Sequence, residues 1–329
     1  MRWLTGLVVG FMVVWGGYWG VGSRALERGA TAWLDGLPAN GIPATYSALT
    51  VQGFPNRFDL ILSDPVLGDP AALQWRAAFF HLLALSYRPY NLIAVWPDSQ
   101  QIITPAQTLT LTNQSARASV LFTPTPSLPL DHMELVVDQG ALASDTGWQT
   151  AFGQLRFATR QVVGQKNAHQ IGLDIIGLAP DAALRRAIDP DTTLPDTVTA
   201  LHLDVTAAFN APLDRFAFGN GGFGLESLTL AGLRLEWGPM MLAADGTLTR
   251  DGAGFAQGQI VIHLRDWPRM VALAQASGLL DPINAGNISR ALKVLAGMDA
   301  DGGDLEVPLG FTGGRMVLAG LPLLAAPRF

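Results

Sequence analysis

Arg57-Phe-Asp-Leu-Ile-Leu62 sets Phe58, Leu60 and Leu62 on one side of an extended chain and Arg57, Asp59 and Ile61 on the other. Alternation with period two is the signature of a half-buried β-strand. The same texture recurs outward from it: Leu109–Thr112, Ala118–Phe122, Met133–Val137, Gln154–Thr159 and Gln170–Ile176, then Leu201–Val205, Ser227–Leu230, Leu233–Trp237, Gly246–Thr249, Gln259–Leu264 and Asp304–Val307. Each run is short, alternating or β-branched, and bounded by Pro, Gly, Asp or Asn. Asp245-Gly246 and Asp251-Gly252 predict hairpin turns, because Asp and Gly tolerate positive φ. The expected fold is therefore mainly β, a long antiparallel meander forming a curved sheet or open half-barrel with a few packing helices.

Three helices interrupt the pattern: Asp181–Ile188 after Pro180, Pro268–Ser277 stopped by Gly278, and Pro282–Ala296 stopped by Gly297. In the last, Ile288, Ala291, Leu292 and Leu295 form a stripe suited to packing on a sheet. Leu73–Leu85 fits either class, and the alternation of Leu73, Trp75, Ala77 and Phe79 favours strand. The run Pro180–Pro195 has the composition of a connection, so two similar β halves, 41–180 and 195–329, fit within a 41–329 β-rich domain.

Trp3–Ser23 carries no charge over 21 residues, and a helix needs about 20 apolar residues to cross a bilayer core. Segment 1–24 is therefore expected to be a transmembrane signal anchor, with Trp15, Tyr18 and Trp19 in an interfacial belt. A cleaved signal peptide is the rival, but Val21-Gly22-Ser23 is a poor cleavage site and the span is long. Segment 25–40 reads as a helical stalk, with Leu26, Ala30, Trp33, Leu34 and Leu37 at helical spacing, packing on the body or lying along the membrane. Arg2 precedes the span while Arg24 and Arg28 follow it, so charge alone leaves the orientation open and tilts it inward. The body is placed outside the cytoplasm, because a single amino-terminal span before a large β-rich body behaves as a signal anchor.

The chain has 329 residues, 49% hydrophobic and 15% charged, with a mean hydropathy of +0.27. A charged fraction this far below the usual ~25% excludes a disordered chain. The net charge of −6, without a basic run, makes nucleic acid an unsuitable partner. Absence of cysteine eliminates disulfides and thiolate chemistry.

Motifs for chemistry are weak. Gly219-Asn-Gly-Gly-Phe-Gly224 has phosphate-loop spacing but precedes an apparent strand, whereas a phosphate site needs a helix there. Asp299-Ala-Asp-Gly-Gly-Asp304 lacks calcium-loop spacing and reads as a polar turn. His81, His132, His169, His202 and His263 never fall at metal-binding intervals, and His202 and His263 read as ordinary strand residues. No catalytic residue, cofactor or metal ligand is assigned.

Gln52-Gly-Phe-Pro-Asn-Arg-Phe-Asp-Leu60, followed by Asp64-Pro65 and Trp75, resembles the amino-terminal signature of the bacterial domain of unknown function 2125 family. Gly53, Phe54, Pro55, Asp64, Pro65 and Trp75 carry that likeness, and Asp304–Leu323 resembles the family's close. The resemblance spans nearly the whole chain and brings no activity with it. The Gly-Phe-Pro opening and Gly-x-Leu-Pro-Leu ending are more distantly similar to AsmA-like envelope proteins, whose curved sheets are associated with lipid handling; this is an analogy of fold. A curved sheet can keep one face dry. The candidate apolar ligand face comprises Phe58, Leu60 and Leu62, with Leu228, Leu230, Leu233, Leu235 and Trp237, and Ile260, Ile262 and Leu264. The same residues suit a sealed core. The expected function is a non-catalytic, membrane-anchored periplasmic protein that binds or passes lipid or otherwise supports envelope maintenance. The alternative is a structural module organising an envelope protein complex, and the third reading is an envelope hydrolase.

Overall fold

A computed structural model describes residues 2–217, 223–297, 303–318 and 321–329. The protein is mainly β: half of it lies in strands of a large open antiparallel sheet that does not close into a barrel, joined by one long apolar helix at the amino terminus and a few small helices. The chain divides into two compact units, residues 1–124 with 135–147, and residues 125–134 with 148–329.

In the first unit, helix α1 (Arg2–Gly36) runs unbroken, so the apolar span and the segment after it are one rod. Strands β1 (Ala44–Thr45), β2 (Ala48–Gln52), β3 (Arg57–Ser63), β4 (Val66–Asp69), β5 (Leu73–Ala77), β6 (Phe79–Leu85), β7 (Arg88–Trp96), β8 (Ser99–Ile103), β9 (Thr108–Thr112) and β10 (Ser115–Phe122) follow, and β11 (Leu130–Ser144) contributes its later residues. The ambiguous stretch from Leu73 is strand, as the alternation indicated, broken into β5 and β6.

Pairing is β2–β3–β6–β7–β10 on one side and β1–β4–β5–β8–β9–β11 on the other. Each hairpin thus alternates between two ladders, which is what a meander of long strands does when every strand is bent at the same level. The bend is a row of residues ill suited to a straight strand. Asp64 sits at φ 48° and Gln139 at φ 49°, and Pro65 and Pro97 lack a backbone donor. Asp64 N–H donates to the Ala78 carbonyl at 3.0 Å, and Asn113 N–H to the Asp98 carbonyl at 2.9 Å. Buried Asn113 also donates its side-chain amide to the Pro97 carbonyl at 3.1 Å. The crease carries its hydrogen bonds across the break, as a buried backbone must.

The second unit is a sequential meander: β12 (Gln149–Gln161), β13 (Ala168–Ile176), β14 (Ala200–Phe209), β15 (Leu225–Trp237), β16 (Met240–Arg250), β17 (Ala256–Arg265), β18 (Leu305–Thr312), β19 (Arg315–Leu318) and β20 (Leu321–Ala325), each antiparallel to the next. Helices α2 (Ala182–Ile188), α3 (Trp267–Ala276) and α4 (Pro282–Ala296) lie close to their expected bounds. The carboxylates of Asp181 and Asp281 accept backbone N–H groups in the first turns of α2 and α4, a preferred N-cap arrangement.

Asp251-Gly252 opens the turn between β16 and β17, with Asp251 N–H on the Phe255 carbonyl at 2.8 Å. Asp245-Gly246 is not a turn: it lies inside β16, paired with Val261 and Ile260. Gly246 is required there because a Cβ would stand 2.3 Å from the Gln259 carbonyl oxygen, at φ 152°. The predicted turn answered to close approach of two backbones instead. Residues 219–222 of the glycine run, and Asp299 and Asp301 of the acidic run, lie outside the described residues.

Candidate functional site

The family-like residues Gly53, Phe54 and Pro55 form the β2–β3 turn, and this turn holds α1. Gly53, at φ 98°, accepts from Arg57 N–H at 2.9 Å, closing a tight loop that presents its carbonyls outward. Three aromatic donors from one face of α1 meet backbone carbonyls. Trp15 Nε1–H reaches Pro55 at 3.0 Å, Tyr18 O–H reaches Ser86 at 2.6 Å, and Trp19 Nε1–H reaches Arg57 at 2.7 Å. Phe54 meets Trp19 edge to face at 5.4 Å, and Phe58 stacks on Trp19 at 6.1 Å. Gly22 makes the seat possible, since a Cβ there would stand 2.7 Å from Phe58 Cζ.

The stripe continues through buried Ser23, half-buried Leu26 and Ala30, and buried Leu34, the three- and four-residue steps of a helix lying on a surface. Trp33, which the spacing placed in that stripe, is exposed. Trp15, Tyr18 and Trp19 were expected as an interfacial belt; their second task, donating to a specific turn, was signalled only by their spacing of three and four.

Asp64, Pro65 and Trp75 do not join this seat. Asp64 accepts from the Ser47 hydroxyl at 2.7 Å and Pro65 is fully buried, both within the crease. Trp75 donates to Gln100 at 2.7 Å and meets Phe80 edge to face. The motif is thus architectural in two places, seat and fold line.

The candidate apolar face distributes over both units. Phe58, Leu60 and Leu62 are buried in the first, with Phe58 beneath α1. In the second unit, β15 carries a bulge between Leu230 and Leu233. A bulge rephases a strand, so Leu228 and Leu230 share a side with Leu233, Leu235 and Trp237 despite their odd spacing. Trp237 and Leu235 enter a core with Met240, Ile188 and Met270. Leu264 packs with Trp267 and Leu292. Those ends are sealed by α2, α3 and α4. Between them, Leu228, Leu233, Ile260 and Ile262 are only half-buried and pack with Ile171 and Leu203 around Leu230.

The opposite side of that sheet is polar. His132, Glu134, Arg160, Gln170, His202 and Asp204 line a shallow groove of about 270 Å³. His202 Nδ1 lies 2.6 Å from Asp174, Gln170 donates to Asp204 at 3.2 Å, and Arg265 is bidentate on Asp304. These are cross-strand pairs of a solvated face. His263 lies 3.6 Å from Asp245 in the same style. His169 is fully buried beside Thr159; burial pushes its imidazole below the ordinary value while Asp131 pulls it up, favouring the neutral form. Among the described residues, no three His, Asp or Glu side chains are grouped to hold a metal ion.

A profile of uncharacterized proteins conserved in bacteria, the domain of unknown function 2125 family, matches residues 19–327. The chain belongs to this family. The domain of unknown function 2125 match opens at Trp19, on the docked face of α1, and runs through both units. No curated protein matches, and no solved structure does.

Proposed function

We propose that α1 is an uncleaved anchor in the bacterial inner membrane, and that the periplasmic body is a non-catalytic platform that binds or passes lipid in envelope maintenance. The observation that carries this reading is the seat of α1. Trp15, Tyr18 and Trp19 satisfy three carbonyls of the first unit, and cleavage after Ser23 would strip those partners away and uncover Phe58. A signal peptide destined for removal has no use for such contacts.

The lipid reading is supported by the half-buried band of Leu203, Leu228, Leu233, Ile260 and Ile262, a surface suited to acyl chains. The analogy to AsmA-like envelope proteins supports the same reading at the level of fold alone. The paired, solvated character of the polar groove supports leaving catalysis out.

The structural-module alternative draws on Leu279, Ile283 and Val294, which are exposed around α4 and would suit a protein partner in the envelope. Native mass spectrometry of the full chain extracted from membranes, with lipid analysis of the same sample, separates the two. Stoichiometric phospholipid or glycolipid is expected. A lipid-free chain bound to one defined protein would overturn the lipid reading in favour of the module.

A further inference from the structure

Along α1, Trp3–Val14 is exposed throughout, and contact with the first unit begins at Trp15. A rise of 1.5 Å per residue puts Trp15 about 18 Å and Trp19 about 24 Å beyond Trp3, whereas the hydrocarbon core is about 30 Å thick. The body therefore grips the helix before the helix has cleared the bilayer. Whatever lies beside Trp15–Trp19 shares their depth.

Two adjoining turns lie there. Phe54 and Pro55 close the β2–β3 turn; Leu85, Ser86 and Tyr87 close β6–β7; Ser86 N–H donates to the Asn56 carbonyl at 2.8 Å. Ser86 is fully buried, while Phe54 is 63%, Tyr87 57% and Leu85 38% exposed. Large apolar and aromatic side chains held out from a rigid tip are costly in water and suited to the interfacial layer, where Tyr is enriched. Arg88 stands exposed just behind them, at the level where a guanidinium meets lipid phosphate, while neighbouring Arg57 is paired with Asp59 at 2.7 Å.

We propose that the paired β2–β3 and β6–β7 turns, through Phe54, Leu85 and Tyr87, insert into the phospholipid interface beside α1, so that the body is held by two elements rather than tethered by one. The inference rests on α1 being a retained span, and it adds which end of the first unit meets the bilayer. Burying the tips lets a helix with about 18 Å of free apolar length sit in a 30 Å core without stranding Trp15 and Trp19 in hydrocarbon beside a wet protein edge.

The chain contains no cysteine, so single substitutions can carry a nitroxide. The full chain, as Val9→Cys, Leu85→Cys, Tyr87→Cys or Val163→Cys, would be reconstituted in phosphatidylethanolamine–phosphatidylglycerol vesicles. Accessibility to oxygen and to a water-soluble nickel chelate would then be compared by electron paramagnetic resonance. Val9 reports the anchor and Val163, 96% exposed in the second unit, reports water. The expected result is an oxygen-to-nickel ratio at positions 85 and 87 several-fold above that at 163 and approaching that at 9. A lipid signature at 9 with water-like values at 85 and 87 would overturn tip insertion and leave the anchor standing. A water-like value at 9 would overturn the anchor and the insertion together.

Discussion

Both units are antiparallel meanders, yet the strands of the first are broken at a crease and those of the second run unbroken. In the first, Asp64-Pro65, Ala78, Pro97-Asp98 and Asn113 interrupt neighbouring strands at one level. In the second, β12, β15 and β16 run 13, 13 and 11 residues, disturbed only locally by bulges. The difference teaches that bending a sheet requires punctuation repeated in register, whereas rephasing one strand requires a single extra residue. The helices differ in parallel. α1 shows an uncharged surface over Trp3–Val14 that is apolar except at Thr5, while α4 exposes Ile283 and Val294 singly among polar residues such as Asn287 and Arg290. Scattered apolar residues on a polar helix suit a local protein contact; a helix apolar all round calls for lipid or extensive protein cover.

The contrast can be broken most forcefully in the second unit. Trp237 is 1% exposed at the junction of β15 with α2 and α3, so Trp237→Ala should cost about 3–5 kcal/mol. Hydrogen exchange should show lost protection over β14–β17 ahead of β3 and β6; uniform loss over both sets would mean the two units are not separately cooperative. Gly22→Val attacks the seat of α1, where the added atoms meet Phe58. Overpacking of this kind costs about 1–3 kcal/mol, and denaturation in micelles should register it; an unchanged midpoint would mean α1 is not held against β3.

Asn113→Asp tests the crease. It replaces the amide donor facing the Pro97 carbonyl with an acceptor in a buried place, for an expected loss of about 1–3 kcal/mol, read from the urea midpoint. No loss would show that the fold line does not depend on that bond. The smallest effect concerns α4. The Asn284 backbone N–H holds the Asp281 carboxyl below its usual range; burial opposes this, and the Asn284 side chain and Ile283 N–H add to it. A lowered folded pKa means the cap's contribution is complete above the ordinary aspartate value, about 4, and is lost as pH falls through the folded value. Protection factors in the first turn of α4 should therefore drop on acidification below about pH 4, and Asp281→Asn, a capping residue that does not titrate, should remove that step. A step that persists in the variant would assign it to another group.

Period-two alternation made the β class legible, and the helices were marked by Pro and Gly. The crease was not legible, because each of Asp64, Pro65, Pro97 and Asn113 reads locally as an ordinary strand end; only pairing in register reveals that they form one line. Asp245-Gly246 misled for a related reason: Gly serves a close backbone approach as readily as a turn. The seat of α1 was half visible. Trp15, Tyr18 and Trp19 were recognisable as aromatic and interfacial, but their acceptors are backbone carbonyls of Pro55, Arg57 and Ser86, which no side-chain pattern announces.

The central claim, that α1 is retained and docked on the Gly53-Phe54-Pro55 turn, is tested most directly by the intact mass of the chain recovered from cells together with its fraction after alkaline carbonate extraction. The account predicts a membrane-resistant species at the full 35.0 kDa. A carbonate-soluble species shortened to begin after Ser23 would contradict it.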